Sequence, residues 1–157
     1  MLLNIRTNRV VARACALSLR VAIVMTLSLV MFPSTALAGS KHTAEIAAAQ
    51  KAGDAWMQLL DAEKYDECWQ QSSPFFQKNV PQTAFRKRME TVRKPLDPVV
   101  IRTLHTSEYK TELSGLPKGE YVAFVWETVF SNSQEMLESL IMSDEAGQWK
   151  MIGYAVQ

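Results

Sequence analysis

Two residues able to exchange protons, Glu138 and His105, fall on predicted strands rich in apolar residues. A three-residue turn over 131–133 would place Glu138 opposite Trp126 on the neighbouring strand. A carboxylate held away from water beside a tryptophan can serve as a proton donor or acceptor. We therefore predict a polar island on the inner face of a sheet, formed by the ligand-binding candidates Glu138, Trp126, His105 and Thr128.

The same residues also allow a structural interpretation. A buried glutamate satisfied by its neighbours needs no catalytic role, and a register slip of one residue would turn Glu138 to solvent. A four-residue turn over 144–147 would place Gly153 opposite Glu138 and leave room beside it. Alternation along the strands cannot choose between these interpretations, so both stay open at this point.

No other constellation predicts catalysis or metal binding. The sequence has no G-x-S-x-G motif, phosphate loop or dinucleotide fingerprint. Its two histidines and Cys68 cannot complete a tetrahedral nitrogen and sulfur zinc site without carboxylates. We predict no catalytic residue, no metal and no cofactor.

A basic run at Arg86, Lys87, Arg88, Arg93 and Lys94 offers a second kind of candidate. It could contact anionic lipid headgroups or an acidic partner, or form a solvated helix face.

The first 38 residues have the three parts of a secretory signal. Four arginines precede an apolar run over 21–32, and the triplet Ala36-Leu37-Ala38 follows. That run is shorter than the roughly 20 residues that a membrane-spanning helix needs. We expect cleavage after Ala38, a mature domain over 39–157, and a periplasmic or secreted location.

Removal of this segment changes the charge and the cysteine content. Thirteen basic and sixteen acidic residues remain, a net charge of −3, which argues against nucleic acid as a partner. Cys15 leaves with the segment, so Cys68 has no partner for an intramolecular disulfide and we interpret it as a small buried apolar residue.

The mature chain divides into a helical part and a strand part. Helical spacing of apolar residues predicts helices over 43–62 and 65–71 and a third opening at Pro81. Period-two patterns predict strands over 99–111, 121–130, 134–143 and 148–156, joined by short turns. The expected fold is α+β, with three N-terminal helices packed on one face of a four-stranded antiparallel meander.

Alternation predicts two apolar faces for this sheet. The inner face would hold Trp126 and Thr128 with Ile101 and His105 of the first strand, whereas Arg102 would face solvent. The opposite face is too apolar for a surface exposed to water, so we predict self-association as a homodimer or binding of a periplasmic protein partner. Its interface candidates are Tyr121, Val125, Val129, Ile141, Ile152 and Tyr154.

Scattered residues along the mature chain resemble a bacterial family known as a domain of unknown function (DUF4019). The resemblance rests on Trp56, Leu59-x-Asp61, Tyr65-x-x-Cys68-Trp69, Phe76, Phe85, Arg93-x-Pro95-Leu96, Arg102, Gly119-x-Tyr121, Glu138 and Trp149-x-x-x-Gly153-Tyr154. It implies an exported α+β domain of a Gram-negative bacterium and no activity. The expected architecture is also similar to the cone-shaped folds of nuclear transport factor 2 and ketosteroid isomerase, which implies a pocket but no chemistry.

These observations favour a non-enzymatic binding or interaction module. The alternative is a small pocket protein or enzyme that uses Glu138, with His105 and Trp126 lining the cavity.

Overall fold

A computed structural model of the chain describes residues 41–96, 98–132 and 134–157. The predicted signal peptide lies outside the described residues. The described chain is an α+β fold in which four α-helices precede a four-stranded antiparallel sheet. Among these residues, none of the helices combines the length and the apolar character needed to cross a bilayer.

The helices are α1 (Thr43–Asp61), α2 (Tyr65–Gln71), α3 (Pro74–Asn79) and α4 (Gln82–Val92), and a 3-10 turn follows over Lys94–Leu96. The predicted count of three helices is wrong because Ser73-Pro74 begins one rather than interrupting one. The Ser73 hydroxyl accepts a hydrogen bond from the Phe76 backbone N–H at 3.1 Å, and Pro74 occupies the first turn. A serine cap followed by proline favours a helix start.

The strands are β1 (Val99–Lys110), β2 (Tyr121–Phe130), β3 (Glu135–Asp144) and β4 (Trp149–Val156). They pair in the order β1-β2-β3-β4, which confirms the predicted antiparallel meander. Strands β2 and β3 pair without interruption, and Trp126 lies opposite Glu138 as expected.

Irregularities in the two outer strands change which side chains face the core. The pairing of β1 shifts between Val99 and Ile101 and again between Leu104 and Thr106. In β4 an extra residue, Ile152, interrupts the pairing with β3. Each added residue reverses the inward and outward alternation beyond it. The predicted faces of β1 and β4 are therefore partly wrong.

The core lies between α1 and one face of the sheet, which we call the inner face. Trp56 and Leu60 of α1 are buried with Phe124 of β2 and Leu140 of β3. Gly53 allows close contact, since a Cβ atom there would lie 3.0 Å from Leu140 Cδ2. Helix α1 thus packs directly on the sheet beside the predicted polar island.

Candidate functional site

A buried ionic network occupies the inner face around Glu138. Each of the four strands contributes one side chain to it, and the ends of α1 and α4 contribute two more. Its members are Asp61, Arg93, Arg102, Thr128, Glu138 and Tyr154. Two carboxylates face two guanidinium groups, so the formal charges of the network balance.

Both oxygens of the Glu138 carboxylate have hydrogen-bond donors. Oε2 accepts from Arg102 Nε and from Thr128 Oγ1, each at 2.7 Å. Oε1 accepts from the Tyr154 hydroxyl at 2.6 Å and lies 3.4 Å from Arg93 Nε. Because Glu138 is fully buried, these contacts take the place of water around its charge.

Asp61, the last residue of α1, joins the two arginines from the other side. It accepts a bidentate pair of hydrogen bonds from Arg102, at 2.8 and 2.9 Å. Its Oδ1 also accepts from Arg93 Nη2 at 2.7 Å. Arg93 is itself fully buried, and its guanidinium carbon lies 4.6 Å from the centre of the Phe130 ring. Planar, forked guanidinium groups suit such double contacts.

The environment shifts the acid–base behaviour of two members. Burial alone would lower the pKa of Arg102, but its hydrogen bonds to Asp61 and Glu138 outweigh burial and hold that pKa above its ordinary value. Burial, together with the charge of the adjacent Glu138, raises the pKa of Tyr154 above its ordinary value. Both shifts keep the network in its ion-paired form, with Arg102 charged and Tyr154 a neutral donor.

The geometry bears on the pocket hypothesis for Glu138. To act as an acid or a base, Glu138 would have to release Arg102, Thr128 or Tyr154, and Tyr154 lies where Gly153 was expected to leave room. Among the described residues, no group of histidine, cysteine and acidic side chains is arranged to hold a metal ion.

The structure brings Trp126 and Thr128 to Glu138 on the inner face, but not His105. His105 is the extra residue at the second irregularity of β1, and its side chain is 58% exposed. Its Nδ1 lies 3.2 Å from Glu127 Oε1 on the opposite, outer face. The inner position predicted for His105 is therefore wrong, and Arg102, predicted to face solvent, takes the inner place.

The predicted neighbour of Glu138 on β4 is also wrong. Glu138 pairs with Val156, while Gly153 pairs with Ile141. Only residues Ala146 and Gly147 separate Glu145 from Gln148, whose backbones hydrogen-bond to each other, so the hairpin is tighter than expected. This turn and the irregularity at Ile152 bring Tyr154, rather than Gly153, to Glu138.

A family model described as "Protein of unknown function (DUF4019)" matches residues 52–154, well over half of the chain. The chain belongs to this family. The matched segment contains the complete ionic network, and five of its members, Asp61, Arg93, Arg102, Glu138 and Tyr154, are among the residues on which the resemblance rests. The chain matches no curated protein.

Three of the six interface candidates lie together on the outer face of this DUF4019 domain. Val125, Val129 and Ile141 are half-buried there. Beside them, Ile101 is 57% exposed and Leu137 is 41% exposed. Sequence reasoning missed Ile101 because it assigned this residue to the inner face.

The other three interface candidates are less accessible than predicted. Tyr121 is buried, and its hydroxyl donates a hydrogen bond to the Pro117 carbonyl in the preceding loop. Ile152 is buried at its irregularity, and Tyr154 faces inward. The accessible apolar part of the outer face is therefore the part that carries Ile101, Val129 and Leu137.

The basic run of α4 meets acidic residues near the start of α2. Arg86 pairs with Asp66, and Lys94 pairs with Glu63 at 2.6 Å. Arg93 lies within the buried ionic network, where it pairs with Asp61. Lys87 and Arg88 remain exposed. Part of the charge proposed for lipid contact is thus already balanced within the protein.

Cys68 lies fully buried between α1 and α2. The Trp56 indole N–H donates to the Cys68 carbonyl at 2.9 Å, and the thiol faces the Trp56 carbonyl. Burial, aided by the nearby charge of Glu67, raises the pKa of Cys68 to about 12. A thiol with this pKa stays protonated, as a packing role requires.

Proposed function

We propose that this DUF4019 protein is an exported, non-enzymatic interaction module that binds a protein partner through the outer face of its sheet. The observation that carries the proposal is the exposure of Ile101 and Leu137 beside the half-buried Val129. Apolar patches shared by several strands are typical of surfaces that bind other proteins. In this proposal the helices cover only the inner face, as the packing of α1 supports.

The inner face supports the non-enzymatic part of the proposal. Glu138 lies among arginine, threonine and tyrosine donors that already satisfy its charge. A network that joins four strands and two helices suits a structural role, which is to fix the strand register and hold the ends of α1 and α4. Export is supported by the charge, length and cleavage pattern of residues 1–38.

Site-specific photo-cross-linking in the periplasm of a Gram-negative host tests the proposal. The full chain carries a photoreactive amino acid at Leu137 or, as the control, at Gln58 on the exposed side of α1. We expect a discrete cross-linked product from Leu137, its loss when Ile101→Asp is added, and none from Gln58. The mass of the product should correspond to a chain that begins at Gly39.

Equal cross-linking from both positions, or a product unaffected by Ile101→Asp, would contradict an interface on the outer face. A cross-linked chain that retains residues 1–38 would contradict cleavage of the segment.

A further inference from the structure

A groove of about 420 Å³ lies on the outer face where β1, β2 and β3 run side by side. Its apolar side chains come from Ile101, Val129 and Leu137, which share the outer face. The charged side chains of its lining are Glu127 and Glu135, and both are acidic. The volume falls within the range of natural ligand sites, so the groove has room for large side chains of a partner.

The strand register places each acid directly beside an apolar residue. Ile101 pairs with Val129, and Val129 pairs with Glu135, which gives one row across the sheet. Thr103, Glu127 and Leu137 form the next row. The two carboxylates thus lie diagonally across the apolar floor, each within reach of a side chain seated on it.

This arrangement specifies the partner more closely than exposure alone. We propose that the outer groove binds a segment of a partner protein in which large apolar residues alternate with lysine or arginine. The apolar side chains would cover Ile101 and Leu137, while the cations would meet Glu127 and Glu135. This inference rests on the proposed interaction through the outer face and adds the chemical class of the partner.

Charge complementarity favours this occupant over an acidic or purely polar segment. Glu127 is 62% exposed, and His105 beside it is 58% exposed, so a cation can approach the carboxylate without unfolding the sheet. An acidic segment would meet two like charges at short range. A polar basic segment would leave the apolar floor exposed to water and would lose the larger share of the binding free energy.

Nuclear magnetic resonance titration of the mature chain with three short synthetic peptides tests the proposal. One peptide alternates leucine and lysine, one alternates leucine and glutamate, and one alternates serine and lysine. We expect the leucine–lysine peptide to shift the backbone signals of Ile101, Glu127 and Leu137 and to bind more weakly as salt is added. The other two peptides should bind at least about tenfold more weakly.

Substitutions separate the contribution of charge to the binding affinity from the contribution of apolar contact. Glu127→Gln combined with Glu135→Gln should weaken binding of the leucine–lysine peptide by roughly three- to tenfold. Leu137→Asn should weaken it by about tenfold or more. The charge-matched control is Glu108→Gln combined with Glu112→Gln, which removes two other exposed carboxylates and should leave the affinity unchanged.

The outcomes separate this inference from the proposed function. Equal binding of the leucine–glutamate peptide, or an equal loss in the control variant, would overturn the basic partner class. Shifts confined to residues outside the groove would overturn it as well. If position-dependent cross-linking at Leu137 is nevertheless observed, the interaction module stands and only the class of partner is wrong. Absence of both signals would contradict both proposals.

Discussion

Two glutamates on adjacent strands, Glu127 of β2 and Glu138 of β3, lie on opposite faces of one sheet and in opposite environments. Glu138 is fully buried and receives hydrogen bonds from Arg102, Thr128 and Tyr154. Glu127 is 62% exposed and lies beside the exposed His105. The comparison shows that burial separates two carboxylates that both lie among apolar residues. Internal hydrogen bonds occupy the buried one, while the exposed one is accessible at the surface.

The two faces should differ most in how far a glutamate-to-glutamine substitution lowers the free energy of unfolding. Glu138→Gln would leave Asp61 as the single counter-charge of two arginines in the network, so we expect the free energy of unfolding to fall by about 3–5 kcal/mol. The matched control is Glu127→Gln on the outer face, which should change it by less than about 0.5 kcal/mol. Urea unfolding of the mature chain measures both values. Similar losses in the two variants would show that the faces do not differ as described.

The face on which each side chain lies was predictable from the sequence where strand pairing is regular. It was not predictable where an extra residue interrupts the pairing. Along β2, every second residue from Val122 to Phe130 is buried, so strict alternation identified the inner face. In β1 the extra residues are Val100 and His105. Neither is a glycine or a proline, the residue types that would indicate an irregularity in a strand. As a result, Arg102 lies on the inner face and His105 on the outer face, which is the reverse of the predicted arrangement.

The network also depends on residues that strand patterns cannot relate to Glu138. Asp61 and Arg93 lie at the ends of helices, and their meeting is set by how α1 and α4 pack in three dimensions. One signal could have pointed to them. The residues that resemble the family include two acids, Asp61 and Glu138, and two arginines, Arg93 and Arg102. Two acids and two bases in equal number could have indicated that they pair.

A smaller effect should come from Tyr154, one of the two uncharged members of the network. Tyr154→Phe removes the hydroxyl that donates to Glu138 Oε1, and a lost hydrogen bond to a charged group costs about 1.5–3 kcal/mol. The pKa of Tyr154 is raised in the folded state, so the hydroxyl loses its proton in the unfolded chain first. Its stabilising contribution is therefore complete below pH ~10 and is lost as the pH rises through and beyond that value.

Urea unfolding across a range of alkaline pH tests this expectation. The free energy of unfolding should fall more steeply with pH above ~10 in the natural chain than in Tyr154→Phe. Other tyrosines and Cys68 are common to both proteins, so the difference between the two curves reports Tyr154. Parallel curves would show that Tyr154 does not titrate differently in the folded and unfolded states.

The smallest effect is expected for the contact between His105 and Glu127. Because both side chains are more than half exposed, water competes for this contact, and a double-mutant cycle of His105→Gln with Glu127→Gln should give a coupling of at most about 1 kcal/mol. The same cycle for Arg102→Gln with Glu138→Gln should give a larger coupling, because each single change leaves the network with one uncompensated charge and the double change restores the balance. Equal coupling free energies would mean that burial does not strengthen the Glu138 pair relative to the Glu127 pair. A weak outer contact would also leave Glu127 able to exchange His105 for a cation of a partner, as the proposed binding in the groove requires.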